Sequence, residues 1–264
     1  IENFAKEREK SFAMDDRGKL DYKTQNSIQG VREGEVLCQI IAPTPGADGV
    51  NIQGDVLKAK AGKEAKVLVG RNTELNEEKT QLVAKMDGQL KFQAGRFNVD
   101  PQLDVSGDVN YDVGNIDFYG DVRITGDVRE GFTVRSAGSV IVDGLVEAAT
   151  IEADGDVIIQ NGIAGDERAV IKAGGTVKAA YMESCTVYAG KEVHANNIIG
   201  SNIYCDEKII VKSGRGTIIG GKHVAGKKIE ANTIGCRAER PTELVVGETP
   251  NIRKKKEDLQ ESIE

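Results

Sequence analysis

The chain contains two histidines, His194 and His223. A lone histidine can act as general base in acyl transfer if a cleft brings the acceptor to it. His194 lies in EVHANN, directly after Val193, which predicts a solvent-facing or corner side chain. His223 holds a position that is aliphatic in comparable segments, which predicts a buried structural role. Clustered Asp with Lys or Arg along one face would suit calcium-assisted polysaccharide cleavage. The candidate row is Asp121, Ser139, Asp156, Thr176, Glu192, Lys208 and Lys228. Its charge changes sign along its length, so no acidic calcium array is expected, and mixed charge is what a stacked solvent face favours. Asp154 and Asp156 could form a local carboxylate pair, and a structural role is expected for them. GTIIGGKH (216–223) matches the GxxxxGK of a phosphate loop but has His223 where the magnesium-holding Ser or Thr belongs, so it reads as a tight corner. Cys38, Cys185, Cys205 and Cys236 occur singly, without CxxC, so neither a zinc site nor a disulfide framework is expected. We expect no catalytic residue, cofactor or metal.

The elements that carry these residues are set by an internal repeat from about residue 116 to 230. Seven segments follow one template: IDFYGDV from Ile116, VRSAGSV from Val134, IEADGDV from Ile151, IKAGGTV from Ile171, VYAGKEV from Val187, IYCDEKI from Ile203 and HVAGKKI from His223. Their starts are spaced by 16 to 20 residues. The third position is usually small: Phe118, Ser136, Ala153, Ala173, Ala189, Cys205 and Ala225. Positions one and three of a strand point the same way, so a large aliphatic and a small residue together fill a narrow interior. We therefore expect an inward ladder of Ile116, Val134, Ile151, Ile171, Val187 and Ile203, with Ala153, Ala173, Ala189, Cys205 and Ala225 beside it. Corner glycines follow at Gly120, Gly138, Gly155, Gly174, Gly190 and Gly226, where positive φ would be convenient. About 18 residues per circuit give three short strands and three corners, which is a parallel β-solenoid. The drift in spacing favours a right-handed β-helix of about seven coils over the strict hexapeptide rhythm of left-handed solenoids.

Outside the repeat, residues 1–22 read as a short helix followed by a turn and strand. Residues 23–105 read as a small all-β domain punctuated by glycines, and 106–248 as the β-helix. In 249–264 glycine disappears, and Ile252, Leu259 and Ile263 fall on one helical face, the start of a helix or coiled coil that would favour a homodimer. Composition agrees with many short strands and tight turns: 31 glycines in 264 residues, 5% aromatics and no Trp. A net charge of −7 argues against a nucleic-acid partner. No stretch approaches the ~18 apolar residues of a membrane span. The expectation is a reduced, cytoplasmic protein without direct membrane insertion.

The run VGNIDFYGDVRITGDVREGFTVRSAGSVIVDGLVEAATIEADGDVII (113–159), with GIAG (162–165), GTIIGG (216–221) and IEANTIG (229–235), resembles the solenoid of the flagellar assembly protein A family. VREGEVLCQIIAPTPGADGVNIQGD (31–55) and VGRNTEL (69–75) are similar to that family's N-terminal β domain. The stretch 126–148 is also similar to the C-terminal domain of the division-site inhibitor MinC, and bactofilins share the coil length. The resemblance implies a right-handed β-helix, an N-terminal β domain and a C-terminal helical extension. It also implies a non-enzymatic bacterial assembly or localisation role through protein partners, with flagellar assembly and recruitment to a cell pole as its setting. Two other classes stay open: a β-helical carbohydrate-active or acyl-transfer enzyme, and a polymer-forming cytoskeletal element.

Overall fold

A computed structural model describes residues 2–3, 13–14, 20–21, 30–64, 67–237 and 240–247. Every regular element among them is a β-strand. Of the helix expected at the start of 1–22, Glu2–Asn3 is instead a strand paired with Val36–Gln39 and the rest lies outside the described residues, as does the helix expected in 249–264. No helix is long and apolar enough to cross a membrane among the described residues.

The chain divides into two units, one of Ile1–Glu9 and Gln29–Pro101, the other of Lys10–Ile28 and Gln102–Glu264. In the first unit, Val36–Gln39 lies between Glu2–Asn3 and Gln81–Ala84, and Thr73–Leu75 continues that antiparallel sheet. A second sheet joins Gly30–Val31, Gly88–Gln93, Arg96–Asp100 and Leu68–Val69. Val31, Leu37, Cys38, Leu82, Ala84, Phe97 and Val99, from both sheets, form the core of this unit. Gly49–Val50 and Val56–Leu57 make a separate exposed hairpin.

The second unit is a parallel β-solenoid of about eight turns. Three faces each stack rungs along the coil axis. The first face aligns Ile116, Val134, Ile151, Ile171, Val187, Ile203 and His223 in one inward column, with the exposed Leu244 level with His223 at its end. The second face aligns Leu103, Val122, Val140, Val157, Val177, Val193, Ile209 and Ile229. The third aligns Val109, Val128, Val146, Ile163, Met182, Ile198, Ile218 and Ile234. Stacked Val and Ile suit this geometry, because β-branched side chains pack well on a pleated surface. Each fully buried one contributes about 1.5–3 kcal/mol, which only a neighbouring coil can supply.

Two differences from the sequence-based expectation concern extent. The solenoid begins at Gln102–Val105, which pairs in parallel with Asp121–Ile124, rather than at 106. It also has an eighth rung on the first face, Thr242–Val246, level with Gly221–Ala225. That rung lies 21 residues after its partner in the column and has Val246 in place of the small third residue, so the template passes over it although Gly247 holds the corner-glycine place.

Candidate functional site

Both histidines and the repeat's candidate residues lie either inside the solenoid or on its outer rows. Of the expected ladder, Ile116, Val134, Ile151, Ile171, Val187 and Ile203 are buried, as are Ala153, Ala173, Ala189, Cys205 and Ala225. Cys205 sits level with Ala189 and Ala225. Burial pushes the Cys205 thiol up to about 12 and the Cys185 thiol up to about 11. Both are therefore protonated and inert at neutral pH. The backbone N–H of Cys185 donates to Ser201 Oγ at 3.3 Å.

His223 is fully buried in the seventh rung. Its Nε2 donates to the carbonyl oxygen of Gly220 at 3.0 Å, while its buried Nδ1 meets no partner among the described residues. Loss of solvation drives its pKa below the ordinary value and the Gly220 bond opposes this, so the ring is neutral. His194 faces outward and lies 2.9 Å from Glu192 Oε2, whose other oxygen accepts from Lys208 Nζ at 2.9 Å. The two histidines occupy different faces and share no cleft. In GTIIGGKH, Thr217–Ile219 is a third-face strand, and Gly216, Gly220 and Gly221 take left-handed φ of 63°, 68° and 81°. A Cβ on Gly221 would lie 2.1 Å from the Ser201 carbonyl oxygen, so this glycine also admits the neighbouring coil's backbone. The segment runs from strand to strand, not from strand to helix.

The corner glycines serve a purpose other than the one expected. None of Gly120, Gly138, Gly155, Gly174, Gly190 and Gly226 is among the glycines with positive φ. What Gly138, Gly155, Gly174 and Gly190 supply is room. A Cβ on Gly138 would lie 2.3 Å from Asp121 Oδ1, and one on Gly155 would lie 2.5 Å from Ser139 Oγ. A Cβ on Gly174 would meet the Asp154 carbonyl oxygen at 2.3 Å, and one on Gly190 the Gly174 carbonyl oxygen at 2.2 Å. The oxygens admitted beside Gly138 and Gly155 are staples between coils. Asp121 Oδ1 accepts the N–H of Ser139 at 2.7 Å, and Ser139 Oγ accepts that of Asp156 at 3.1 Å. Asp156 Oδ1 in turn accepts the N–H of Thr176 at 2.7 Å. Asp108 and Asp127 repeat the device beside Gly126 and Gly144, accepting from Asp127 and Leu145. The row of Asp121, Ser139 and Asp156 is thus structural. The Gly-Asp and Gly-Ser dipeptides carry its signal in the sequence.

The outward row of the first face is the second feature that the template did not single out. It runs Asp117, Arg135, Glu152, Lys172, Tyr188 and Tyr204, each level with the next, and ends at Val224, which is buried. Glu152 takes Lys172 Nζ at 2.7 Å and Arg135 Nε at 2.9 Å, and those two bonds hold its carboxyl below the usual carboxylate range. Tyr188 and Tyr204 stack with centroids 5.1 Å apart and planes 12° apart. Beside this row lies a groove of about 750 Å³ whose other lining is the corner row, largely small residues such as Ala137, Gly174 and Gly190. No group of three or more His, Cys, Asp or Glu side chains is arranged to hold a metal ion among the described residues.

Two family models match the chain. Residues 101–264 match the Flagellar Assembly Protein A beta solenoid domain, and residues 1–95 match the Flagellar Assembly Protein A N-terminal region. No curated protein and no solved structure matches.

Proposed function

Because the chain belongs to the flagellar assembly protein A family, we propose that it is a non-enzymatic scaffold for flagellar assembly, a right-handed solenoid that presents rigid rows of side chains to protein partners. The observation that carries this reading is the regularity of the stack. Three parallel ladders and the staples at their corners fix outward residues at about 4.8 Å intervals, so a partner meets a preformed surface with little ordering cost. Two further observations favour presentation over chemistry. The neutral His223 ring is sealed in the core with its Nε2 committed to a backbone carbonyl. His194 is engaged with Glu192 in a surface network.

We place the protein in the cytoplasm, recruited to the cell pole, with the 249–264 segment supplying a homodimer contact. The test is flagellation in cells that lack the chain. A scaffold role is expected to leave such cells with few or misplaced flagella and to be restored by the intact chain. Restoration is also expected from a His194→Ala, His223→Ile double variant that folds. Normal flagella in the deletion strain would contradict the role, and restoration lost only when a histidine changes would contradict its non-enzymatic character.

A further inference from the structure

We propose that the hairpin arm of the first unit, residues 41–64, is an interface between two copies of this chain, joined about a twofold axis. The arm is a built element. Asn51 Oδ1 accepts the N–H groups of Gln53 at 2.9 Å and Asp55 at 2.8 Å, and Asn51 Nδ2 donates to Asp55 Oδ2 at 3.0 Å. Those bonds tie the tip and leave Ile52 fully exposed. Farther along, Asp48 Oδ1 accepts the N–H of Ala59 at 2.7 Å, and a Cβ on Gly46 would lie 2.8 Å from that of Ala59. The two legs of the arm therefore run side by side.

What the arm lacks is a core. Every residue of 41–64 is exposed except the half-buried Asn51 and Ala59, and Ile41, Val50, Ile52, Val56 and Leu57 are its exposed aliphatic side chains. Its strands Gly49–Val50 and Val56–Leu57 form a two-stranded sheet that pairs with no other described strand. An isolated hairpin of that kind is marginally stable in water, and a cluster of exposed apolar side chains marks a contact surface. A further strand laid on an open edge would complete the sheet, with backbone bonds giving affinity and the aliphatic side chains giving specificity. The arm's 24 residues match the roughly 20–30 a side that a stable interface uses.

Charge selects a second copy as the occupant. The chain carries −7, yet 41–64 sets Lys58, Lys60 and Lys63 against Asp48, Asp55 and Glu64, so its formal charge cancels. Two copies can meet there without the repulsion that the rest of each chain imposes, and the lysines of one arm can face the acids of the other. An identical edge is also its own antiparallel partner, because a twofold axis across the strands sets them in opposite directions. An anionic membrane is a poorer occupant. A membrane-seeking tip carries Lys or Arg beside its apolar residues, whereas Asp55 is the only ionisable side chain in 50–57. The contact lies on the first unit and is separate from the one proposed for 249–264.

The test is amide hydrogen exchange of the full chain across about a hundredfold range of concentration. Amides in 41–64 are expected to exchange at least about tenfold more slowly at the high end, with a matching rise in sedimenting mass. Val56→Asp with Leu57→Asp is expected to remove that protection. Gln160→Asp with Asn161→Asp adds the same charge at exposed positions of the other unit and is expected to leave it in place. If the arm variant perturbs folding by circular dichroism, Ile52→Ser, at a fully exposed position, is expected to weaken the protection instead. Arm exchange that ignores concentration, or equal losses in both paired variants, would overturn the proposal. So would co-sedimentation of the chain with phosphatidylglycerol vesicles that the arm variant abolishes. Protection confined to 249–264 sinks the arm contact and leaves the other standing, and flagellation reads the scaffold role separately from both.

Discussion

Asp121 reaches across one coil to accept the backbone N–H of Ser139 at 2.7 Å, and its Oδ1 fills the space that a side chain on Gly138 would need. Glycine and acid therefore act as one unit spread over two coils. The glycine leaves a vacancy, and the preceding coil's carboxylate uses it to satisfy a corner N–H that the ladders do not reach.

This relation sets the sizes of two substitutions. Gly138→Ala places a methyl 2.3 Å from the carboxylate oxygen and 2.9 Å from two backbone atoms, so the corner must shift. A loss of about 1–3 kcal/mol is expected in urea denaturation. Asp121→Ala removes only the acceptor, with an expected loss of about 1 kcal/mol, and Asp121→Asn, which keeps an acceptor oxygen, is expected to recover most of it. A neutral Gly138→Ala would show that the corner is not stapled.

The inward register is tested by neighbours. Ala153 is buried and level with Ser136 and Ala173, so Ala153→Leu is expected to overpack the interior and cost about 1–3 kcal/mol. Glu152→Leu removes two half-exposed ion pairs and is expected to cost less than about 1 kcal/mol. Equal small effects in chemical denaturation would mean that the register is shifted by one.

The register was legible because one column has one requirement. Every coil must offer the interior a residue of similar size at the same place, and Ile116, Val134 and Ile151 repeat at intervals that can be read off the chain. The eighth coil was not legible. An end rung is packed by one neighbour only, so Val246 can stand where the inner coils need a small residue, and Gly247 alone is too little to mark it. The staples were missed for a different reason. Gly138 and Gly155 look like turn residues, and only the stacked geometry shows that they answer to the side chains of Asp121 and Ser139 in the preceding coil. The first-face groove depends on the outward row, where the repeat imposes no residue type, so Tyr188 and Tyr204 could not be told from ordinary surface residues.

Acid should loosen the core through His223. Its folded pKa lies below the ordinary value of 6.5, so the unfolded chain binds the proton more tightly. Stability from the neutral ring is fully present above about pH 6.5 and is lost as pH falls through that value towards the folded pKa. Glu152, Glu192 and Glu230 are also held below the ordinary 4.5, so their contributions fade only at lower pH. His223→Ile, which restores the aliphatic column, is expected to flatten the dependence of unfolding free energy on pH between about 5 and 6.5. An unchanged slope would show that His223 is not the group responsible.

Thiol reactivity should separate the cysteines. Cys236 is exposed, whereas Cys38, Cys185 and Cys205 are buried, and burial pushes all three of those thiols up. One thiol is expected to react promptly with Ellman's reagent in the native chain and four in urea. Rapid reaction of Cys205 in the native state would mean that the coils around it open.

In the proposed role the solenoid holds proteins against its outer rows. A photo-crosslinking residue placed at Arg135, Lys172 or Tyr204 in living cells tests this most directly, with buried Ile151 as the control position. The expected result is discrete protein adducts from the outer-row positions and none from position 151. Irradiated cells that show no protein adduct from any outer-row position would contradict the claim.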